Sequence, residues 1–320
     1  MPVLYSRPLE LTYHAKRASC ASCCTFLITI LMVVVPYIAV YALGGLWTKE
    51  LPAREQPLVA SRYEILVEAY ASSVSAGSEG SEVVPLLWST SQPLNDAIGE
   101  HIRPCELRSW EEDDERDGYP DRLQYLLKIP LDAHAGERLH SVSVIIGVEA
   151  QFQKEFSLRL NSSLHLQASS PLPGKVWQQT ADLALRSDRL QRSKDLPARE
   201  PCPTPVWAFR EPVLRNGAPA STASILAQYA ACNDTMVLDA QPPIWTPGVS
   251  ETFEAHLTIR LPHIAAARRP GLVETLKLAA VQYIAFFLPI GYLLSCLHSA
   301  LFRFGVVSAR VHHPVKQHQW

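Results

Sequence analysis

The chain has 320 residues, a formal net charge of −2, and 25 prolines against 14 glycines. The near-neutral balance excludes a nucleic-acid binder that works through a basic surface. The proline content favours a loop-rich or all-β domain over a helical one. Of seven cysteines only Cys105, Cys202 and Cys232 lie in the central part, which excludes a disulfide scaffold. At most one internal pair can form there, and Cys202 with Cys232 is the closer in sequence.

From Ala18 to Thr48 no acidic or basic residue occurs, and the apolar core runs from Thr25 to Leu43. About 20 apolar residues suffice to cross the hydrocarbon layer as a helix. The run is longer than a signal-peptide core, and no small-x-small cleavage site follows it. Pro36 is expected to kink the span. Cys20, Cys23 and Cys24 fall at its start, where thiols are candidates for palmitoylation.

Five segments of the middle carry strand signals. They are Ser61–Tyr70, Leu123–Ile129, Leu139–Gln151, Phe156–Leu166 and Thr252–Leu261. Period-two apolar residues, such as Val142, Val144 and Ile146, mark them as half-buried strands, read as antiparallel. Ser221–Cys232 reads as one helix with Ser221 or Thr222 as N-cap. Leu196–Pro219, with its prolines, reads as a loop. The pentapeptide LPARE at Leu51 recurs at Leu196 with nothing similar around it, so it is no repeat.

Between Trp110 and Asp121 lies an acidic run, WEEDDERDGYPD. Asp113, Glu115 and Asp117 alternate, Gly118 permits a sharp turn, and Asp121 follows. Alternate carboxylates can converge on a hard cation, so these four are the candidate ligands of a structural calcium. The competing reading is a solvated acidic turn before a strand. No EF-hand is present, because Gln124 stands at the twelfth loop position.

Asn161-Ser162-Ser163 and Asn233-Asp234-Thr235 are glycosylation sequons, and both lie in the middle. Asn161 falls on the polar phase of its strand, so a glycan there is expected to point outward. The sequons place the middle outside the cytosol. Lys and Arg are balanced across both membrane edges and do not decide orientation.

A second uncharged stretch runs from Leu278 to Phe302, with Pro289 inside it. Gly291 and Ser295, four apart, offer a face on which a second helix can approach closely. The expected architecture is two transmembrane α-helices flanking a mainly-β, β-sandwich-like extracytosolic domain. Its parts are an N-tail (1–22), a first span (23–46), the domain (47–275), a second span (276–302) and a C-tail (303–320). Both tails then share the cytosolic side.

No metalloprotease, hydrolase, Walker or dinucleotide motif occurs, so the chain reads as no enzyme. The layout matches acid-sensing-type and ATP-gated channels, but the few cysteines and the uncharged spans argue against a pore. An adhesion- or receptor-like protein with a ligand-binding external domain is the alternative reading.

Several segments in order resemble the transmembrane protein 231 family of the ciliary transition zone. They are Tyr13, Lys16 and Arg17; Leu87-Trp88-Ser89-Thr90; Glu111-Glu112-Asp113 with Asp117-Gly118 and Asp121; and Pro243-Ile244-Trp245. Ile259-Arg260-Leu261-Pro262, Pro270-Gly271 and Val281-Gln282-Tyr283 complete the set. Glu115 replaces an expected asparagine, and Leu196–Pro219 matches least. The resemblance implies a non-enzymatic subunit of the Meckel-syndrome, tectonic-like complex at the ciliary base. Its implied partners are the lipid bilayer, B9-domain proteins, tectonics and other transmembrane subunits. The implied role is a diffusion barrier between cilium and plasma membrane that supports ciliogenesis and hedgehog signalling.

Overall fold

A computed structural model describes residues 12–16, 19–73, 82–98, 102–193, 226–227 and 229–312. The Leu196–Pro219 loop, the Ser221 and Thr222 caps and Cys202 lie outside the described residues. The chain divides into two units. One comprises Met1–Lys49 with Pro270–Trp320, and the other Glu50–Arg269.

The elements in chain order are β1 (Thr12–His14), α1 (Cys20–Ala42), β2 (Leu51–Glu55), β3 (Leu58–Ser73), β4 (Glu82–Ser89) and α2 (Gln92–Ile98). There follow β5 (Glu106–Glu112), β6 (Arg122–Pro130), β7 (Arg138–Phe152), β8 (Leu158–Ser169) and β9 (Gly174–Ser187). The rest are β10 (Asp234–Ala240), β11 (Ile244–Pro247), β12 (Thr252–Arg260), β13 (Ile264–Arg268), α3 (Leu272–Arg303) and β14 (Arg310–His312).

The Glu50–Arg269 unit holds a four-stranded sheet of order β4-β3-β7-β8 and a six-stranded sheet. The latter runs β10-β9-β12-β6-β5, with β11 also on β9, and β13 pairs β2 separately. All five predicted strands are present. Period two brings this about: Leu123, Tyr125, Leu127 and Ile129 of β6 turn inward, as do Phe253, Ala255, Leu257 and Ile259 of β12. They join Val142, Val144 and Ile146 of β7 and Leu164 and Leu166 of β8 in one buried cluster. The mainly-β domain with apolar helices at either end of the chain is the expected fold class. One pairing differs from expectation: β12 lies parallel to β9, with Ala255 opposite Trp177. Alternation fixes which face is buried but not which way a neighbour runs.

Two buried polar groups fix loops onto this core. The carboxylate of Glu55, 3% exposed, accepts the backbone amides of Gln153 at 2.8 Å, Lys154 at 2.7 Å and Glu155 at 2.9 Å. Tyr229 is likewise buried. Its hydroxyl donates to Met236 O at 2.9 Å and accepts Met236 N–H at 2.7 Å, and burial pushes its pKa up to about 12. Residues 226–227 and 229–230, within the predicted helix, are helical.

Candidate functional site: a hairpin of spans with paired tails

In the other unit α1 has 23 residues and α3 has 32. At about 1.5 Å per residue α1 reaches about 35 Å, enough for a hydrocarbon layer of about 30 Å. Phe26, Leu27, Ile38, Leu288 and Leu293 are each more than half exposed. Water would charge heavily for such a surface, whereas lipid does not. The α1 helix begins at Cys20, three residues before the expected span, because Ser19 Oγ accepts the Ser22 amide. It ends at Ala42, earlier than expected, because Gly44 takes a left-handed φ of +71°. Gly44 N–H and Gly45 N–H then bond Tyr41 O and Val40 O. Apolar composition continues past that stop. The α3 helix starts at Leu272, just after Pro270-Gly271, with Glu274 suited to its positive end.

The two helices meet along one face. Lipid offers no hydrophobic drive between them, so small residues and polar contacts must hold the pair. Ala21 and Val40 of α1 are 1% exposed. Buried Gly291 of α3 faces Met32, with room for a Cβ at 3.7 Å from its Cγ. The partner that Gly291 was expected to admit is thus α1, while Ser295 is exposed. Tyr283 OH donates to Val33 O at 3.3 Å, and Thr25 Oγ1 lies 3.3 Å from His298 Nε2. At one end of the hairpin Gln282 closes over Gly45, where a Cβ would lie 2.2 Å from Oε1. At the other end the tails pair. Tyr13 sits opposite Val311 and His14 opposite Arg310, and the Tyr13 and Phe302 rings are 5.5 Å apart. This ladder was not legible in the sequence, since three-residue strands carry no periodicity.

Cys20 and Cys23 are exposed and Cys24 half-buried, all in the first two turns of α1 on the tail side. In the acidic loop, Asp113 accepts Asp117 N–H at 3.3 Å and Gly118 N–H at 3.0 Å. Asp117 accepts Tyr119 N–H at 2.9 Å, and Gly118 has a φ of +83°. Asp121 accepts Asp114 N–H at 2.8 Å and Glu115 N–H at 3.3 Å, and Gln56 donates to it at 3.3 Å. The Asp114 amide is the main reason its carboxyl is held below the usual range. Glu115 is exposed. Among the described residues no group of three or more His, Cys, Asp and Glu is gathered as a metal site. Asp113, Asp117 and Asp121 are engaged as caps for backbone amides.

Asn233 is exposed immediately before β10. Asn161 lies within β8, half-buried, with its Oδ1 shielded and without a hydrogen-bond partner. Cys105 is a free thiol whose pKa burial pushes up to about 12, so it is poorly nucleophilic. Cys232 is disulfide-bonded.

A family model described as Transmembrane protein 231 matches residues 1–311. The chain belongs to the transmembrane protein 231 family. The Xenopus tropicalis member is 28% identical over 291 residues, covering 89% of this chain and 87% of the relative. The Gallus gallus member is 30% identical over 292 residues, covering 89% and 86%. The human member is 28% identical over 291 residues, covering 89% and 86%. A solved proton-activated chloride channel aligns over 88% of this chain and 98% of its own, at 7% identity and a TM-score of 0.28. As a member of the transmembrane protein 231 family the chain is a membrane protein, its two apolar helices are membrane spans, and the family is not an enzyme class.

Proposed function

We propose that this chain is a non-enzymatic scaffold of the ciliary transition zone that helps limit membrane-protein exchange between cilium and plasma membrane. The family match over residues 1–311 carries this reading. In it, B9-domain proteins, tectonics and other transmembrane subunits are the partners, and ciliogenesis and hedgehog signalling depend on the assembly. A barrier needs anchors that stay put and surfaces that bind neighbours on both sides of the bilayer. Two spans, paired tails and a β domain are suited to that. Both tails are cytosolic and the Glu50–Arg269 domain is extracytosolic. The disulfide at Cys232 supports this, because such bonds persist in oxidising compartments. Asn233 is the better placed of the two glycan acceptors. Palmitoylation at Cys20, Cys23 and Cys24 would add a second membrane attachment.

The test is localisation of the tagged full chain, with ciliary membrane-protein retention after its removal. A ring at the ciliary base and leakage on removal support the proposal. Uniform plasma-membrane staining with normal retention removes it. A saturable extracellular binding partner would then favour an adhesion- or receptor-like role.

A further inference from the structure

The tail ladder stops at His14 and Arg310, and the two chains then splay to enter α1 and leave α3. The splay opens a cleft of about 520 Å³ lined by His14, Lys16, Ser19, Ser308 and Arg310, with Ala15 and Ala309. Lys16 and Arg310 are exposed, and among the described residues no carboxylate pairs with either. Ser19 and Ser308 add hydroxyl donors beside them. Small Ala15 and Ala309 keep the opening clear. Ser19 is also the N-cap of α1, so the positive end of a 23-residue helix faces the same place. The wider charge agrees. Residues 1–19 and 303–320 carry six Lys and Arg, namely Arg7, Lys16, Arg17, Arg303, Arg310 and Lys316, against the single acidic Glu10.

Two unpaired cations and two hydroxyls in a concave site at the foot of a span match a phosphate carried at the membrane surface. We infer that this cleft binds the phosphorylated headgroup of an inositol phospholipid. A phosphatidylserine headgroup carries its own ammonium and offers the cation pair less charge. A soluble phosphate would lack the acyl chains that hold it against α1. The biological setting rests on the tails being cytosolic, where such lipids face. The binding itself does not, because a nanodisc presents both leaflets.

The experiment uses the full chain in phosphatidylcholine nanodiscs doped with dioctanoyl phosphatidylinositol bisphosphate, dioctanoyl phosphatidylserine or neither. Soluble inositol trisphosphate and inorganic phosphate are separate arms. The wild type should bind the inositol lipid saturably and in preference to phosphatidylserine. The Lys16→Ala/Arg310→Ala double variant should lose roughly 30-fold in affinity, while Lys16→Arg/Arg310→Lys stays within about threefold. A matched removal of tail charge distant in sequence from the cleft residues, Arg7→Ala/Lys316→Ala, should change affinity by less than about threefold. Unchanged thermal unfolding of the first double variant would tie its loss to the cleft. Equal weakening by both alanine pairs would mean diffuse surface attraction and overturn the site. Equal affinity for the soluble phosphates, or for phosphatidylserine, would overturn the assignment to an inositol lipid. Failure of the cytosolic orientation would show in protease accessibility and not here.

Discussion

The indole of Trp245 lies directly against Gly174: a Cβ built on that glycine would sit 2.2 Å from Cζ2. The contact joins β11 to the start of β9, where the register shifts at Pro247. Trp245 Nε1 donates to Leu172 O at 3.1 Å, and the ring packs 5.3 Å from Phe253. A rigid ring held from two sides cannot step aside as a lysine would. Glycine is required here for space, not for backbone freedom.

Gly174→Ala is therefore expected to destabilise the domain by about 1–3 kcal/mol through overpacking. Thermal unfolding of the full chain in nanodiscs should show a drop of several degrees. Trp245→Phe in the same background should recover part of it. A neutral Gly174→Ala would mean the ring is mobile.

Glu55 tests how the β7–β8 connection is held. Its buried carboxylate serves three successive amides, and among the described residues no other acceptor meets them. Glu55→Ala should cost about 3 kcal/mol, since buried donors lose a charged acceptor. Hydrogen exchange at Lys154 and Glu155 should rise together with the stability loss. Global destabilisation with protected amides would show that other groups replace the carboxylate.

The acidic loop gives a pH and a metal prediction. Asp121 has a depressed carboxyl pKa, so its contribution is fully present above the ordinary carboxylate range, near 4. It is lost as pH falls through the lower folded value. Asp121→Asn should thus weaken the domain at neutral pH and converge with the wild type in acid. As caps, Asp113 and Asp117 should matter equally in calcium and in chelator when changed to alanine. A loss confined to calcium would establish the cation site that the D-x-E-x-D-G spacing suggests.

Much of the domain was legible because its strands alternate cleanly. The failures have local causes. In β9 the buried phase runs Trp177, Gln179, Ala181, Leu183. Gln179 breaks the apolar pattern, and its side-chain Nε2 donates to Gln241 O at 3.0 Å, far along the chain. In β2 the fragment LPARE carries no sustained period-two apolar pattern. Glu55 is buried only because amides about 100 positions away complete it. The spans were plain from composition, but the ends of the α1 helix follow from the Ser19 side-chain cap and the left-handed Gly44. For the candidate site, the cysteines, acidic loop and sequons were all visible. The tail ladder and its cleft were not, because pairing of Tyr13 with Val311, 298 positions on, leaves no local trace.

A glycan offers a check on sidedness within the folded domain. Asn233→Gln should abolish an endoglycosidase-sensitive mobility shift, whereas Asn161→Gln should leave most of it, given the shielded amide. Loss confined to Asn161→Gln would contradict the arrangement of β8.

The proposed topology puts both tails on one face of the membrane and the β domain on the other. Protease protection of the doubly tagged full chain in sealed microsomes measures this directly. External protease should remove tags at both ends and leave the spans and the Glu50–Arg269 domain as one intact fragment until detergent is added. Cleavage within that domain while the vesicles are sealed, or survival of either tag, would contradict it.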